Sequence, residues 1–418
     1  MAQRLILYSR LLLTMDREHP IEDGFVLLQG PRILQVGRRR DLDPVPSARV
    51  LDLGDTVLLP GLINAHCHLD FTHLWRKVPY RGSFIDWLRR MGAATRASTP
   101  GQFRQGIRAG IQQSLAYGTT TLCDVSTTLE SWPLLRSSGL RSILFVELLD
   151  LLQASPKDYW KQVQERVLGL LKREPPTPTF RWGLSPHTPF TVSRELYRLA
   201  GRYLEQHPRV PTTIHVAESR EEARLFKDGR GPLGSSLARL NPHWVLPRNT
   251  TPVQYLKHAG WLPKLDLGVH LNAVKGTDIR VLAKNRVAVA HCPGSHEFFG
   301  HPAFPYEKMK RAGVRICLGT DSLASNGSLS LFREMRIFRQ AHPHVPAREV
   351  LSLATSRAAE ALGAGRELGR IRPGHLADLI GIPLPRSSAG RDPFERAVQY
   401  RGQVSFAMVH GELRFRVP

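Results

Sequence analysis

The stretch VLLPGLINAHCHLD, residues 57–70, sets His66 and His68 two residues apart at the end of an apolar run. Side chains alternate along a strand, so both imidazoles point one way and Cys67 the other. Two imidazoles on one side of a strand end can reach one small cation, and imidazole suits Zn, Fe, Ni or Cu. An H-x-H alone is weak evidence, because two structural histidines give the same pattern. Other polar groups recur downstream. They are His187 in Ser185-Pro186-His187, His215 with Glu218 three residues on, His270-Leu271-Asn272, His291-Cys292-Pro293 and Asp321 in Gly319-Thr320-Asp321-Ser322.

The elements that must position these groups follow from the texture of the chain. Beyond Pro60 strands and helices alternate, with strand candidates at 58–65, 119–124, 141–147, 180–185, 212–216, 266–270, 287–291 and 315–319. Runs that are apolar without clean alternation suit strands buried on both faces of a parallel sheet. Eight of them with helices between predict an α/β fold, a closed (β/α)8 barrel of the TIM type. The polar groups above fall at the same end of six of these strands, where such barrels place their active sites.

The helices have local support. Ser83 and Asp86 read as a cap, the 103/107/111/115 stripe ends at Gly118, Ser155-Pro156 opens another helix, and Val350, Leu353, Ala354 and Ala358 line a late one. Segments 4–12, 24–29, 32–36 and 50–53 before the barrel, and 369–372, 378–381, 404–409 and 412–415 after it, read as strands. They predict one small antiparallel β unit, a β-sandwich built from both termini. The expected domains are 1–57 and 365–418 for the sandwich and 58–364 for the barrel.

Composition bounds the function. With 418 residues, 42% hydrophobic and 22% charged, the chain has ample core for a soluble globular protein. The apolar stretch 5–13 is short, is broken by Tyr8, Ser9 and Arg10, and reads as a strand rather than a membrane span. Four cysteines without C-x-x-C spacing fit reduced thiols in a cytosolic, that is cytoplasmic, protein. The net charge of +22 is mostly arginine scattered over helices and loops, with Arg38-Arg39-Arg40 the one short cluster. That pattern argues for a solvated basic surface and against nucleic acid as the partner.

His66, His68, His215 and Asp321 can give three imidazoles and one carboxylate to one divalent ion, leaving a position for water. The ion would bring the pKa of that water to about 7. Glu218, one turn beyond a ligand histidine, is placed to collect the proton and return it to the leaving group. His270 can orient the hydroxide or polarise the substrate. Asp321 takes part in the chemistry only partially while it remains a ligand.

In that order, PGLINAHCHLD, HVAES, AHCPGSH and LGTDS resemble the amidohydrolase superfamily, in its cytosine/adenosine-deaminase-like branch. The tail GRIRPGHLADLIG is similar to the family's closing β segment. The resemblance implies metal ligands His66, His68, His215 and Asp321, Glu218 as proton shuttle, His270 as assistant and one Zn or Fe ion. Segments 141–147 and 180–185 hold no lysine to bridge two metals, which favours a mononuclear site. Residues 70–88 and CPGSHEFFGHPAFP further resemble aminodeoxyfutalosine deaminases, although Asp70-Phe71-Thr72 stands where those relatives carry Glu-Leu-Ser.

The expected function is therefore metal-dependent hydrolytic deamination of a purine-like base or nucleoside, by attack of metal hydroxide on the amine-bearing ring carbon. His187, His296, Trp75, Phe71 and Asn326 are the candidates to line the substrate pocket. The alternatives are a chlorohydrolase, a cyclic amidohydrolase or a non-catalytic scaffold, and retention of Glu218 argues against the last. A small heterocyclic molecule and water are the expected partners, and the resemblance is compatible with a homodimer. If the charge is only surface composition, fluorescence anisotropy should show weak DNA binding at low salt that disappears at physiological salt. Sub-micromolar affinity persisting there would make nucleic acid a true partner.

Overall fold

The computed structural model describes residues 4–245, 247–384 and 392–416. The ends of the expected domain spans, residues 1–3 and 417–418, lie outside them. Sixteen strands are present among the described residues. Eight of them form one hydrogen-bonded sheet from both ends of the chain: β1 (Arg4–Leu12), β2 (Ile21–Gln29), β3 (Arg32–Arg38), β4 (Arg49–Asp52), β5 (Thr56–Pro60) and, far later, β14 (Leu379–Pro383), β15 (Phe406–Val409) and β16 (Glu412–Arg416).

The order is β16-β15-β14-β5-β1-β2-β3, with β4 also on β1. Three expectations change here. The sheet is mixed rather than antiparallel, because β1 pairs parallel with β4 over Leu5–Tyr8 and with β5 at Leu11 and Leu12. Its strands form one ladder rather than two, and Leu7, Val26, Ile33, Leu58, Leu379 and Phe406 from across the strand order share one apolar cluster. Residues 369–372 form a turn rather than a strand; Gly369, at φ +79°, supplies the left-handed backbone that an extended strand cannot take.

The intervening chain builds two parallel four-stranded sheets. The first is β6 (Leu62–Cys67), β7 (Thr119–Ser126), β8 (Arg141–Leu148) and β9 (Phe180–Pro186); the second is β10 (Thr213–Val216), β11 (Leu267–His270), β12 (Ala288–His291) and β13 (Ile316–Leu318). The expected strand 58–65 is thus two strands. Pro60-Gly61 splits it, so that Leu58–Pro60 pairs with β14 in the terminal sheet and only Leu62 onward pairs with β7.

Among the described residues no continuous closed ladder is observed, and the eight strands divide into two sheets. At one junction the contact narrows to a single parallel bridge, Leu184 to Thr212. At the other, backbone pairing gives way to a stitched contact. Thr320 N and Asp321 N donate to His66 O (2.9 and 3.1 Å), and Asn64 Nδ2 donates to Thr320 Oγ1 (2.8 Å). The strands on this side are only three or four residues long, and the chain leaves them to present side chains rather than to extend the ladder.

Helices pack outside the two sheets. The expected late helix is two, Ala347–Leu353 and Ser356–Ala361, interrupted at Thr355, whose φ and ψ of −133° and −98° are not helical. One helix directly supports the first histidine pair. Pro100–Ala116 starts in a reciprocal Thr99–Gln102 capping box with proline in its first turn. Its Gly106 and Gly110 pass so close to the turn Leu69–Leu74 that an added Cβ would lie 2.8 Å from His73 N and from Thr72 Oγ1. The helix therefore clamps the turn that follows His68.

The terminal sheet is tied to the parallel strands by one buried ion pair. Arg141, opening β8, donates through Nε and Nη2 to both oxygens of Asp378 (2.8 and 3.1 Å), and Asp378 Oδ1 also accepts His410 N at 2.8 Å. Removing one partner of such a pair strands the other's charge in the interior. Arg141→Met should therefore lower stability by about 3–5 kcal/mol, read as a reduced urea midpoint. An unchanged midpoint would show that the clamp carries no stability.

Candidate active site

His66 and His68 face the interior because the first strand changes parity. Ile63 and Ala65 pack in the cluster between strands, whereas Leu62 and Cys67 join the core under the helices. Strict alternation would have kept Cys67 with Ala65, and the pairing register with β7 slips between Asn64 and Cys67. The two histidines flanking Cys67 turn inward as a result. Asp124, on β7, then fixes the exit of the strand by accepting Leu69 N (2.8 Å) and Ser131 Oγ (2.6 Å).

His66, His68 and His215 offer ligand atoms all within 4.8 Å of one another. His68 Nδ1 lies 3.1 Å from Val125 O, and His215 Nδ1 lies 2.8 Å from His187 O. A carbonyl only accepts, so each Nδ1 carries the proton and each Nε2 keeps a bare lone pair. Those two Nε2 atoms face each other at 2.9 Å. Burial, with His66 as the second cause, lowers His68 to about 4, and burial lowers His215 well below its usual value. Neither imidazole therefore takes up a second proton to relieve the contact.

His66 is fully buried with neither ring nitrogen hydrogen-bonded. Asp321 Oδ1 stands 3.7 Å from His66 Nε2 and 3.9 Å from His68 Nε2. Its other oxygen, Oδ2, accepts Ser295 Oγ and Ser325 Oγ, each at 2.7 Å. Burial alone would raise this carboxyl, but His66 and the neighbouring imidazoles hold it well below the usual carboxylate range. Converging lone pairs, an orphaned imidazole and an aimed carboxylate oxygen are the donor set a divalent cation requires. The residues present fit a metal ion.

Glu218 follows at the end of β10. Its Oε1 lies 3.7 Å from His270 Nε2, and the His270 ring is 5.7 Å from His215 and 5.9 Å from His66. Burial first, then Asp321 and Glu222, pushes the Glu218 carboxyl well above its normal value, while burial brings His270 down to about 3. Glu222 holds this turn. Its carboxylate accepts Ala217 N (3.0 Å) and Glu218 N (2.8 Å), and Ala217 sits at φ +51°. Ser219-x-x-Glu222 is a helix-start signature that could have pointed to it, but its use on two upstream amides was not legible.

The expected pocket residues separate. Phe71 stacks on His68 with ring centroids 5.5 Å apart, and the His187 ring is 5.5 Å from His215. His296 is one step removed, bonded through Nδ1 to Asn272 Oδ1 (3.1 Å), while Asn272 Nδ2 donates to Glu218 O (3.2 Å). Asn326 is committed to structure instead. Its amide donates to Thr320 O (2.7 Å) and Glu334 Oε1 (2.8 Å), and its oxygen accepts Gly327 N and Arg333. Trp75 lies at the surface with the Arg76 guanidinium over its ring at 4.6 Å. His291, at the end of β12, stacks on Phe304 away from the histidine cluster.

The profile of the amidohydrolase family matches residues 57–413. This chain belongs to that family. It is a hydrolase acting on carbon–nitrogen bonds. It is 29% identical to a 5-methylthioadenosine/S-adenosylhomocysteine deaminase from Syntrophobacter fumaroxidans, over 98% of this chain and 92% of that one. It is also 29% identical to an aminodeoxyfutalosine deaminase from Deinococcus radiodurans, over 81% of each. Its structure is similar to an adenosine deaminase from Xanthomonas campestris with bound zinc, with a TM-score of 0.84 at 22% identity, covering 99% of this chain and 93% of that one. Among the described residues no helix is long and apolar enough to cross a membrane.

Elemental analysis of protein purified without chelator should find about one divalent ion per chain, the number one four-donor set holds. Ser295→Ala with Ser325→Ala removes both hydroxyls that orient Asp321. The double variant should lose metal affinity by about 10–100-fold in chelator competition, the usual cost of outer-shell partners. Unchanged affinity would detach these serines from the centre.

Proposed function

We propose that this amidohydrolase is a metal-dependent hydrolytic deaminase of a purine-like heterocycle, as a base or nucleoside, adenosine-like in the first instance. The observation that carries the reading is the buried Glu218 carboxyl facing His270 beside the three-histidine and aspartate cluster. The deaminases related to the chain over most of its length support the same class. We read the two parallel sheets as halves of a (β/α)8 barrel spanning 58–364, with 1–57 and 365–418 forming the accessory β domain. We assign His66, His68, His215 and Asp321 as ligands of one Zn or Fe ion in a cytoplasmic enzyme, compatible with a homodimer.

Bound there, a divalent ion would lower the pKa of a water to about 7 and so make a nucleophile available at neutral pH. The side chains supply the rest. Glu218 accepts the proton of the attacking water at its carboxylate and returns it to the ring nitrogen beside the amine-bearing carbon. Burial favours its protonated, donating form, and the charge of a bound cation would oppose that shift. His270, neutral through burial, holds its Nε2 towards Glu218 and the attacking face. Phe71, stacked on His68, offers an aromatic surface to a flat heterocycle. Water adds at the ring carbon, the proton of the new hydroxyl passes through Glu218 to the amine, and the C–N bond breaks to release ammonia and leave a ring carbonyl, with no change of oxidation state.

Glu218→Gln keeps size and neutral hydrogen bonding but cannot carry the proton. Its turnover should fall by about 100-fold or more, while fold and metal content stay the same. The assay is ammonia release from adenosine, 5′-deoxyadenosine, methylthioadenosine, aminodeoxyfutalosine, guanine, cytosine and amino-triazines. Chloride release from a chlorinated ring, or opening of a cyclic amide, with no ammonia from any amine would replace the deaminase by the corresponding hydrolase. A fully active Gln variant would move the proton transfer to another group.

A further inference from the structure

One buried carboxylate beside the cluster has no partner in the chemistry above. Glu147 is the penultimate residue of β8, at a register position that shares the inward face with Ile143 and Phe145. It is 8% exposed, its Oε2 accepts Thr127 Oγ1 at 2.5 Å, and its Oε1 is buried with no hydrogen-bond partner. Glu147, His187 and His215 place ligand atoms within 4.8 Å of one another. His187 is anchored through Nδ1 to Thr191 Oγ1 (2.9 Å), which fixes its ring at the same spot.

An acceptor left bare in the interior is costly, so its partner comes from what the site binds. A second metal ion is the poorer occupant. His215 has one lone pair, on Nε2, because its Nδ1 donates to His187 O. That lone pair cannot serve two ions. A hydrogen-bond donor on the substrate is the better one. In an adenine nucleoside the ring nitrogens N1, N3 and N7 accept, and the only donors apart from the departing amine are sugar hydroxyls.

Resting on the deaminase reading, we infer that Glu147, with Thr127 and His187 beside it, is a specificity-determining residue that accepts the 2′- or 3′-hydroxyl of the substrate's sugar. The enzyme then prefers nucleosides over free bases, since a site built around an unfilled acceptor rejects ligands that lack the donor.

The test titrates adenosine and 2′,3′-dideoxyadenosine calorimetrically into metal-loaded Glu218→Gln protein, with and without Glu147→Gln, alongside elemental analysis of Glu147→Gln alone. Glu147→Gln should weaken adenosine by about 10-fold or more, the usual cost of losing a hydrogen bond to a charged group, leave the dideoxy ligand within about 2-fold and leave metal content unchanged. Equal weakening of both ligands, no weakening of either, absence of adenosine binding, or a second ion lost with Glu147 would each overturn the assignment. The ammonia screen separates the two levels. Ammonia from free bases but not nucleosides sinks this inference and keeps the deaminase, whereas hydroxyl-dependent binding without any ammonia keeps Glu147 and sinks the deaminase.

Discussion

Two bare imidazole lone pairs facing each other at 2.9 Å, His68 Nε2 against His215 Nε2, are the constraint around which this molecule is arranged. Without a positive charge between them the contact is repulsive, and burial denies the rings a second proton. The backbone nonetheless enforces it, because each Nδ1 is pinned to a carbonyl belonging to a neighbouring strand, Val125 O on β7 and His187 O just beyond β9. The positions of four strands are therefore referred to one point. A cation placed there turns the repulsion into coordination, which couples metal affinity to the integrity of the scaffold.

The same point explains where the backbone is unusual. Ala217, His270, Leu271 and Asp321 all take positive φ, between 51° and 72°, at the ends of strands β10, β11 and β13. Such conformations cost of order 1–3 kcal/mol each in residues other than glycine. Local bonds hold these turns: Glu222 on the amides around Ala217, Leu271 N on Val216 O, and Ser295 with Ser325 on Asp321. Strand ends that bend sharply to aim side chains cannot also continue a ladder, and the second sheet is accordingly built of very short strands.

Much of this was legible in the sequence, and the reasons are local. Eight apolar runs, each bounded by turns, announced the parallel strands; Ser83 and Ser155 announced helix starts that the side chains do cap. The histidines and Asp321 could be singled out because polar groups at the same end of successive strands have one common destination. What escaped depends on contacts between distant segments. Nothing in residues 58–65 says that Pro60 belongs to a sheet completed by β14, and a one-residue slip near His66 leaves no mark on hydropathy. Asn326 read as a pocket residue because of its place after LGTDS, yet Glu334, eight residues on, takes its amide. Glu147 was invisible for the opposite reason, since a lone acid ending an apolar strand looks like any strand terminus until its unpartnered oxygen is seen.

The pairing of β5 with β14 has a consequence for how the chain is made. Synthesis is vectorial, and domains tend to fold as they emerge. Here β5, a strand buried along its whole length, is finished early, but its neighbour on one side is encoded some three hundred residues later, near the end of the chain. Until then the nascent protein carries an open, apolar β edge, the surface most prone to pair with a wrong strand. The first metal-binding candidates lie only a few residues beyond that edge. Completion of the terminal sheet, and with it the final setting of β6, therefore waits until β14 has been synthesised, and until then the edge of β5 must be kept from wrong pairing.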